Sequence, residues 1–303
     1  MTLKADPATH ATGVTLVAVS VLFFSLAGIF TRSVEAGSWE VIFWRGIAAA
    51  GFALVFMILR GTLMSEIRGF GRAEMLVALL GASGTAAFIP ALKLSSVANV
   101  ALIYAAAPFL AAGLAWLIMS EMPARRTVIA SAIAFIGVLM TISGSLQSAG
   151  LLTTGVLGDT LALWMTLMMA AMMVVYRKRP ETKVMLPAVM SSVLLLPLGL
   201  VFGDVTETQS SDMPLLILFG ASFAVAAVLL PEGARRLPAA ETALLSMLET
   251  PLAPVLAWLI LFELPTLQAV AGGMLILGAA AWSQTPAWSW PGQRRKGGQG
   301  TPL

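Results

Sequence analysis

The feature that most constrains this chain is a succession of ten apolar runs separated by short charged or turn-rich breaks. A helix needs about 20 apolar residues to cross roughly 30 Å of hydrocarbon, and these runs are close to that length. They fall near 13–31, 39–59, 73–92, 97–119, 127–146, 155–176, 184–203, 214–231, 240–262 and 266–284. The runs are continuously apolar, without the alternation of a lipid-facing barrel strand, so they predict transmembrane helices. The first is too long for a signal-peptide core and reads as a retained span. The short connections leave no room for a domain outside the membrane.

Composition agrees. Of 303 residues, 58% are hydrophobic and 11% charged, against about 25% charged in an ordinary soluble domain. The absence of cysteine excludes disulfides, thiolate metal sites and cysteine nucleophiles. The one histidine, His10, precedes the first run, so neither a metal site nor a histidine base is expected within the membrane, and no cofactor is implied.

The basic residues give the topology. With the N-terminus inside, Lys4, Arg60, Arg68, Arg72, Arg125, Arg126, Arg177, Lys178, Arg179, Lys183, Arg235, Arg236, Arg294, Arg295 and Lys296 all fall on the cytoplasmic side. Only Arg32 and Lys93 fall outside, and Arg45 lies within the second run. This is the positive-inside pattern. It predicts a multi-pass protein of the cytoplasmic (inner) membrane with both termini cytoplasmic. It also accounts for the basic character without nucleic-acid binding.

The two halves echo each other at an offset near 142 residues. Leu114-Ala115-Trp116-Leu117-Ile118 returns as Leu256-Ala257-Trp258-Leu259-Ile260, and Glu121 and Pro123 return as Glu263 and Pro265. Gly13 matches Gly155, Gly61 matches Gly203 and Ala98 matches Ala240, while Gly81-Ala82-Ser83 returns as Gly220-Ala221-Ser222 at a shorter offset. The expected organisation is a tail at 1–12, a first five-helix repeat at 13–146, an outer linker at 147–154, a second repeat at 155–285 and a tail at 286–303. Five helices per copy is odd, so the second copy enters the membrane inverted. Inverted repeats favour a secondary transporter with its substrate site between them.

These paired signatures resemble the EamA-type members of the drug/metabolite transporter superfamily. The likeness covers residues 13–285 and rests on Pro108, Leu114-Ala115-Trp116, Glu121 and Gly137, echoed by Pro251 or Pro254, Leu256-Ala257-Trp258, Glu263 and Gly278. Phe43-Trp44-Arg45 and Gly158-Asp159 are also family-like. Leu92-Lys93-Leu94-Ser95-Ser96-Val97-Ala98-Asn99-Val100 looks most like the YddG-type exporters of aromatic amino acids. The resemblance implies ten helices around a central cavity and a small-molecule cargo.

Few residues are candidates to carry transport. Most acids lie at predicted helix ends, but Glu249 lies inside the ninth run, where a charge is costly. In an unbroken helix Thr242, Ser246 and Glu249 would share one face, either lining the cavity, with Glu249 attracting an ammonium group or carrying a proton, or packing against a neighbour. Arg45 either meets a substrate carboxylate from the outer side, snorkels to the headgroups, or pairs with an acid such as Glu40. Asp159 belongs to an outer gate or caps a helix. Pro108, Pro251 and Pro254 interrupt helices 4 and 9, as hinges or as kinks for packing. Phe24, Phe88, Tyr104, Trp164 and Met168 form a candidate aromatic and methionine wall, although packing or lipid contact is the plainer reading of each. Trp282, Trp288 and Trp290 read as interface anchors.

Other classes fit less well. Ser83 in Gly81-Ala82-Ser83-Gly84 matches a serine motif of intramembrane proteases but has no histidine base in the membrane. Asp159 lacks the second aspartate of an aspartyl protease. No filter loop or ring of charge declares a channel, no ATP-binding motif is present, and a phosphorylated cargo would want deep basic residues. The expectation is a non-ATP exporter of small, mostly apolar metabolites, aromatic or other hydrophobic amino acids first. Efflux of organic cations against Glu249 is the alternative.

Overall fold

A computed structural model describes residues 7–120, 122, 125–149, 154–237 and 239–284. Glu121, Pro123, Trp288, Trp290, half of the expected linker and both outermost tails lie outside the described residues. Within them there are fourteen helices and no strand. They are α1 (Pro7–Ser25), α2 (Ala27–Arg32), α3 (Ser38–Leu59), α4 (Leu63–Arg68), α5 (Arg72–Leu94), α6 (Val97–Tyr104) and α7 (Ala107–Met119). Then follow α8 (Arg125–Ala149), α9 (Thr154–Lys178), α10 (Met185–Phe202), α11 (Met213–Ala234), α12 (Ala239–Ser246), α13 (Glu249–Leu261) and α14 (Leu267–Gln284). Among the described residues eight helical segments are long and apolar enough to cross a membrane, counting α1–α2 and α6–α7 as one each. Glu249–Leu261 and Leu267–Ser283 are shorter apolar helices.

Three runs expected to be single helices are broken. The run at 97–119 divides at Ala105 and Ala106, just before Pro108, and that at 240–262 divides at Met247 and Leu248, just before Pro251. Proline displaces the carbonyl four residues earlier, and residues 104 and 247 lie at those breaks. Pro254 sits within α13 without ending it. The break at Leu26 between α1 and α2 has no proline beside it. Because α12 stops at Ser246, the expected stripe of Thr242, Ser246 and Glu249 does not lie on one continuous helix. Glu249 instead opens α13.

Helices of one half pack mostly on helices of the other. The main pairs are α1 with α11, α5 with α9, α3 with α10 and α11, α5 with α10, α7 with α9, α6 with α13, and α8 with α14. Glycine allows the closest approach at α8–α14, where a methyl group on Gly272 would fall on the Gly137 carbonyl and on Thr141. The repeated Leu-Ala-Trp-Leu-Ile segment behaves alike in both copies. Ala115 and Ala257 are buried, while Trp116, Leu117, Ile118, Trp258, Leu259 and Ile260 are exposed, which suits a lipid-facing stripe. Each segment ends in a left-handed residue, Ser120 at φ 55° and Phe262 at φ 56°.

Acids near helix ends accept backbone N–H groups, mostly from distant segments. Glu40 accepts from Asp204 at 2.7 Å, Asp212 from Ala36 at 2.8 Å, and Glu66 from Leu186 at 3.1 Å. Glu74 accepts from Gly71 at 2.9 Å and from Lys183 at 3.2 Å. Such bonds satisfy amides that helix starts and loops leave open.

Candidate functional site

The two proline-linked breaks face each other. Tyr104 is the last residue of α6 and Glu249 the first of α13, and these helices pack together. The Glu249 carboxyl is the electrostatic neighbour of the Tyr104 hydroxyl. Both side chains are half-buried. Glu249 meets the N-terminal end of α13, where the helix dipole favours a negative charge. Ser246, half-buried, closes α12 on the other side of the same break. Pro108 and Pro251 are exposed and Pro254 half-buried. Of the sequence-derived candidates of helices 4 and 9, Tyr104 and Glu249 are therefore brought together.

A second group joins α5 to α9. The Trp164 indole N–H donates to the Ser83 hydroxyl at 3.0 Å. Gly84, the next residue, lies against Met168 and Met169, about one turn along α9 from Trp164. Phe88, farther along α5, packs against two of the buried apolar clusters.

Arg45 is not at an exposed rim. It is 4% exposed, and its guanidinium stacks on Phe219 at 4.8 Å and on Phe223 at 4.6 Å, both from α11. Phe24 meets Phe223 edge-on with centroids 5.6 Å apart, so this candidate joins Arg45 rather than Glu249. Glu40 is engaged by the Asp204 amide instead. Beside Phe223 lies a small apolar pocket, walled by Ala49 and Ala53 of α3, Ala188, Val189 and Ser192 of α10, and Ala224 and Ala227 of α11.

Asp159 is fully buried. It accepts a short hydrogen bond from the Ser95 hydroxyl, and the Asn99 amide lies 3.2 Å from each of its oxygens. It thus fastens α9 to the junction of α5 and α6, where Gly158 lets the backbones meet. Sequence reasoning missed Phe219 and Phe223, which carry no polar signal. It quoted Ser95 and Asn99 without seeing their partner, although three polar residues within Ser95–Asn99 and an aspartate in an apolar run were the available sign.

The model of the EamA-like transporter family matches the chain twice, over residues 11–143 and 156–284. A solved crystal structure resembles the chain with a TM-score of 0.62 at 17% identity, covering 91% of this chain and 98% of that one. That likeness speaks for the fold. No curated protein matches.

Proposed function

Because the chain belongs to the EamA-like transporter family, a family of membrane transporters, we propose that it exports small, mostly apolar metabolites across the cytoplasmic membrane by alternating access. Aromatic and other hydrophobic amino acids are the leading substrates. In this reading α1–α2, α3, α5, α6–α7 and α8 are five spans, and α9, α10, α11, α12–α13 and α14 are their inverted counterparts. Two family matches in tandem support that division. So does the packing: exchanging the halves turns the pair α1–α11 into α9–α5, and α3–α11 into α10–α5. The left-handed Ser120 and Phe262 stand at equivalent places. The lysine and arginine distribution supports cytoplasmic termini.

The observation that carries the reading is the meeting of the two broken helices at Tyr104 and Glu249. Discontinuous helices present open backbone groups and helix dipoles where a substrate can use them, as in other transporters built from inverted repeats. Breaks in both halves also supply points at which each half bends.

The test is a substrate panel in proteoliposomes. Vesicles loaded with labelled tryptophan, phenylalanine or a quaternary ammonium ion are compared with protein-free vesicles. Faster release of the amino acids is expected, and no accelerated release of any probe overturns the proposal. Efflux of the cation alone would establish the second reading, in which Glu249 is the counter-charge.

A further inference from the structure

Two junctions between the halves are built alike and fastened unlike. At the first, Gly158 of α9 lies against Leu94 and Ser95, where α5 gives way to α6. At the second, Gly13 of α1 lies against Arg236 and Leu237, where α11 gives way to α12. Leu94 and Ser95 stand to Arg236 and Leu237 at the offset of the sequence repeats, and so does Asn99 of α6 to Glu241 of α12. Asn99 is bonded to Asp159 of α9, whereas Glu241 is bonded to His10 of α1, Oε2 to Nε2, at 3.0 Å. Each bond thus joins one half to the other at the start of a broken helix. The first is buried, with Asp159 sealed from solvent and Asn99 4% exposed. The second is not, since the His10 and Glu241 side chains are 42% and 36% exposed.

A buried carboxylate with several donors is costly to separate, but a half-exposed pair holds weakly. Histidine also changes charge between pH 5 and 8, so the His10–Glu241 contact is an ion pair in acid and a lone hydrogen bond in base. The other charged groups on elements packed against α1 are engaged or distant. Arg236, which reaches α1 beside Gly13, and Arg235 are both held by Glu232 of α11. Asp212, at the opposite end of α11, binds the Ala36 amide, and Arg32 of α2 pairs with Glu263. Glu249 opens α13, beyond the far end of α12 from Glu241. We propose that His10 and Glu241 form a cytoplasmic latch, the counterpart of the node at Asp159, and that this junction is the one that yields. Protonated His10 holds α12 on α1. Loss of that proton as the pH rises frees α12 and opens the approach to the break at Ser246 and Glu249. The proposal rests on the alternating-access reading and adds which side opens and what controls it.

The chain has no cysteine and a single histidine, so one introduced thiol and one imidazole report without interference. The test labels Ser246→Cys in the full chain, held in lipid nanodiscs, with a polar maleimide. Met64→Cys, at an exposed position of α4, is the reference at each pH. Glu241→Gln and His10→Gln are each expected to raise the relative labelling rate at least about threefold at pH 6. The double variant should go no further than either alone, and the rise should shrink by at least about half at pH 8. Ser95→Ala, which loosens the other junction, should leave the rate within about 1.5-fold of the parent. Unchanged labelling in both latch variants, additive effects of the two, an equal rise at both pH values, or a matching rise in Ser95→Ala overturns the latch. Labelling is read without flux. Vesicles that release no probe while the latch responds as expected would therefore count against the transport reading and not against the latch.

Discussion

The Glu263 carboxylate accepts the backbone N–H of Val97 at 3.0 Å, so the end of α13 caps the start of α6 across 166 residues of sequence. Arg32 adds an ion pair to the same carboxylate at 3.6 Å. Ser96 caps the same helix locally through the Asn99 N–H at 3.0 Å. A cap is worth about 1 kcal/mol and a partly exposed ion pair up to about 1 kcal/mol. Glu263→Ala is therefore expected to destabilise the protein by about 1–2 kcal/mol in denaturation measured in mild detergent. Glu263→Gln, which keeps an accepting oxygen, should lose less than half of that, and an equal loss in both variants would show that the charge, not the cap, matters.

Asp159 makes a sharper case, because it is fully buried and bonded to both Ser95 and Asn99. Hydrogen bonds to a charged group contribute about 1.5–3 kcal/mol each. Asp159→Leu should cost at least about 3 kcal/mol or prevent accumulation in the membrane, while Ser95→Ala should cost about 1–3 kcal/mol. Stability of Asp159→Leu within about 0.5 kcal/mol of the parent would remove this node from the account.

The Trp164–Ser83 bond is suited to a double-mutant cycle. Trp164→Phe and Ser83→Ala should each cost about 1 kcal/mol, and the double variant should fall short of their sum by about 0.5–1.5 kcal/mol. Strict additivity in thermal or denaturant unfolding would mean that the bond contributes nothing.

For Glu249, efflux by Glu249→Gln should fall at least about tenfold and lose its dependence on pH, as expected of a carboxyl that carries a proton or holds a cation at the helix break. The measurement is proteoliposome release across a pH series. Full transport with an unchanged profile would leave Glu249 as a packing residue beside Tyr104.

Glycines separate into those that touch backbone and those that do not. Gly137 and Gly278 look equivalent in the repeated signatures, yet Gly137 lies on the Gly272 carbonyl and Ile276, while nothing lies within 4 Å of a methyl group on Gly278. Overpacking costs about 1–3 kcal/mol, so Gly272→Ala and Gly137→Ala should lower the unfolding midpoint. Gly278→Ala should leave it unchanged or raise it, since alanine favours helix by about 1 kcal/mol. The same shift in all three would argue against the close α8–α14 seam.

The contrast shows what the sequence carries and what it does not. Apolar length located Ser38–Leu59, Arg72–Leu94 and Met213–Ala234 to within about three residues at each end. Proline chemistry marked two of the breaks, because it acts over four residues. The break at Leu26 was illegible, since no local steric rule demands it. Residues 81 apart, such as Ser83 and Trp164, or 64 apart, such as Ser95 and Asp159, meet only through tertiary packing. The aromatic stacking about Arg45 was hidden for the same reason, since Phe219 and Phe223 look like any other apolar residues of α11.

The glycine seam between α8 and α14 constrains motion as well as stability. Main chain pressed on main chain has no rotamers with which to absorb sliding, so displacement along that line would require breaking the contact. Each helix comes from a different half, and their relative movement is therefore confined to rolling. The pair Gly137 and Gly272 would then serve as an axle between the two halves.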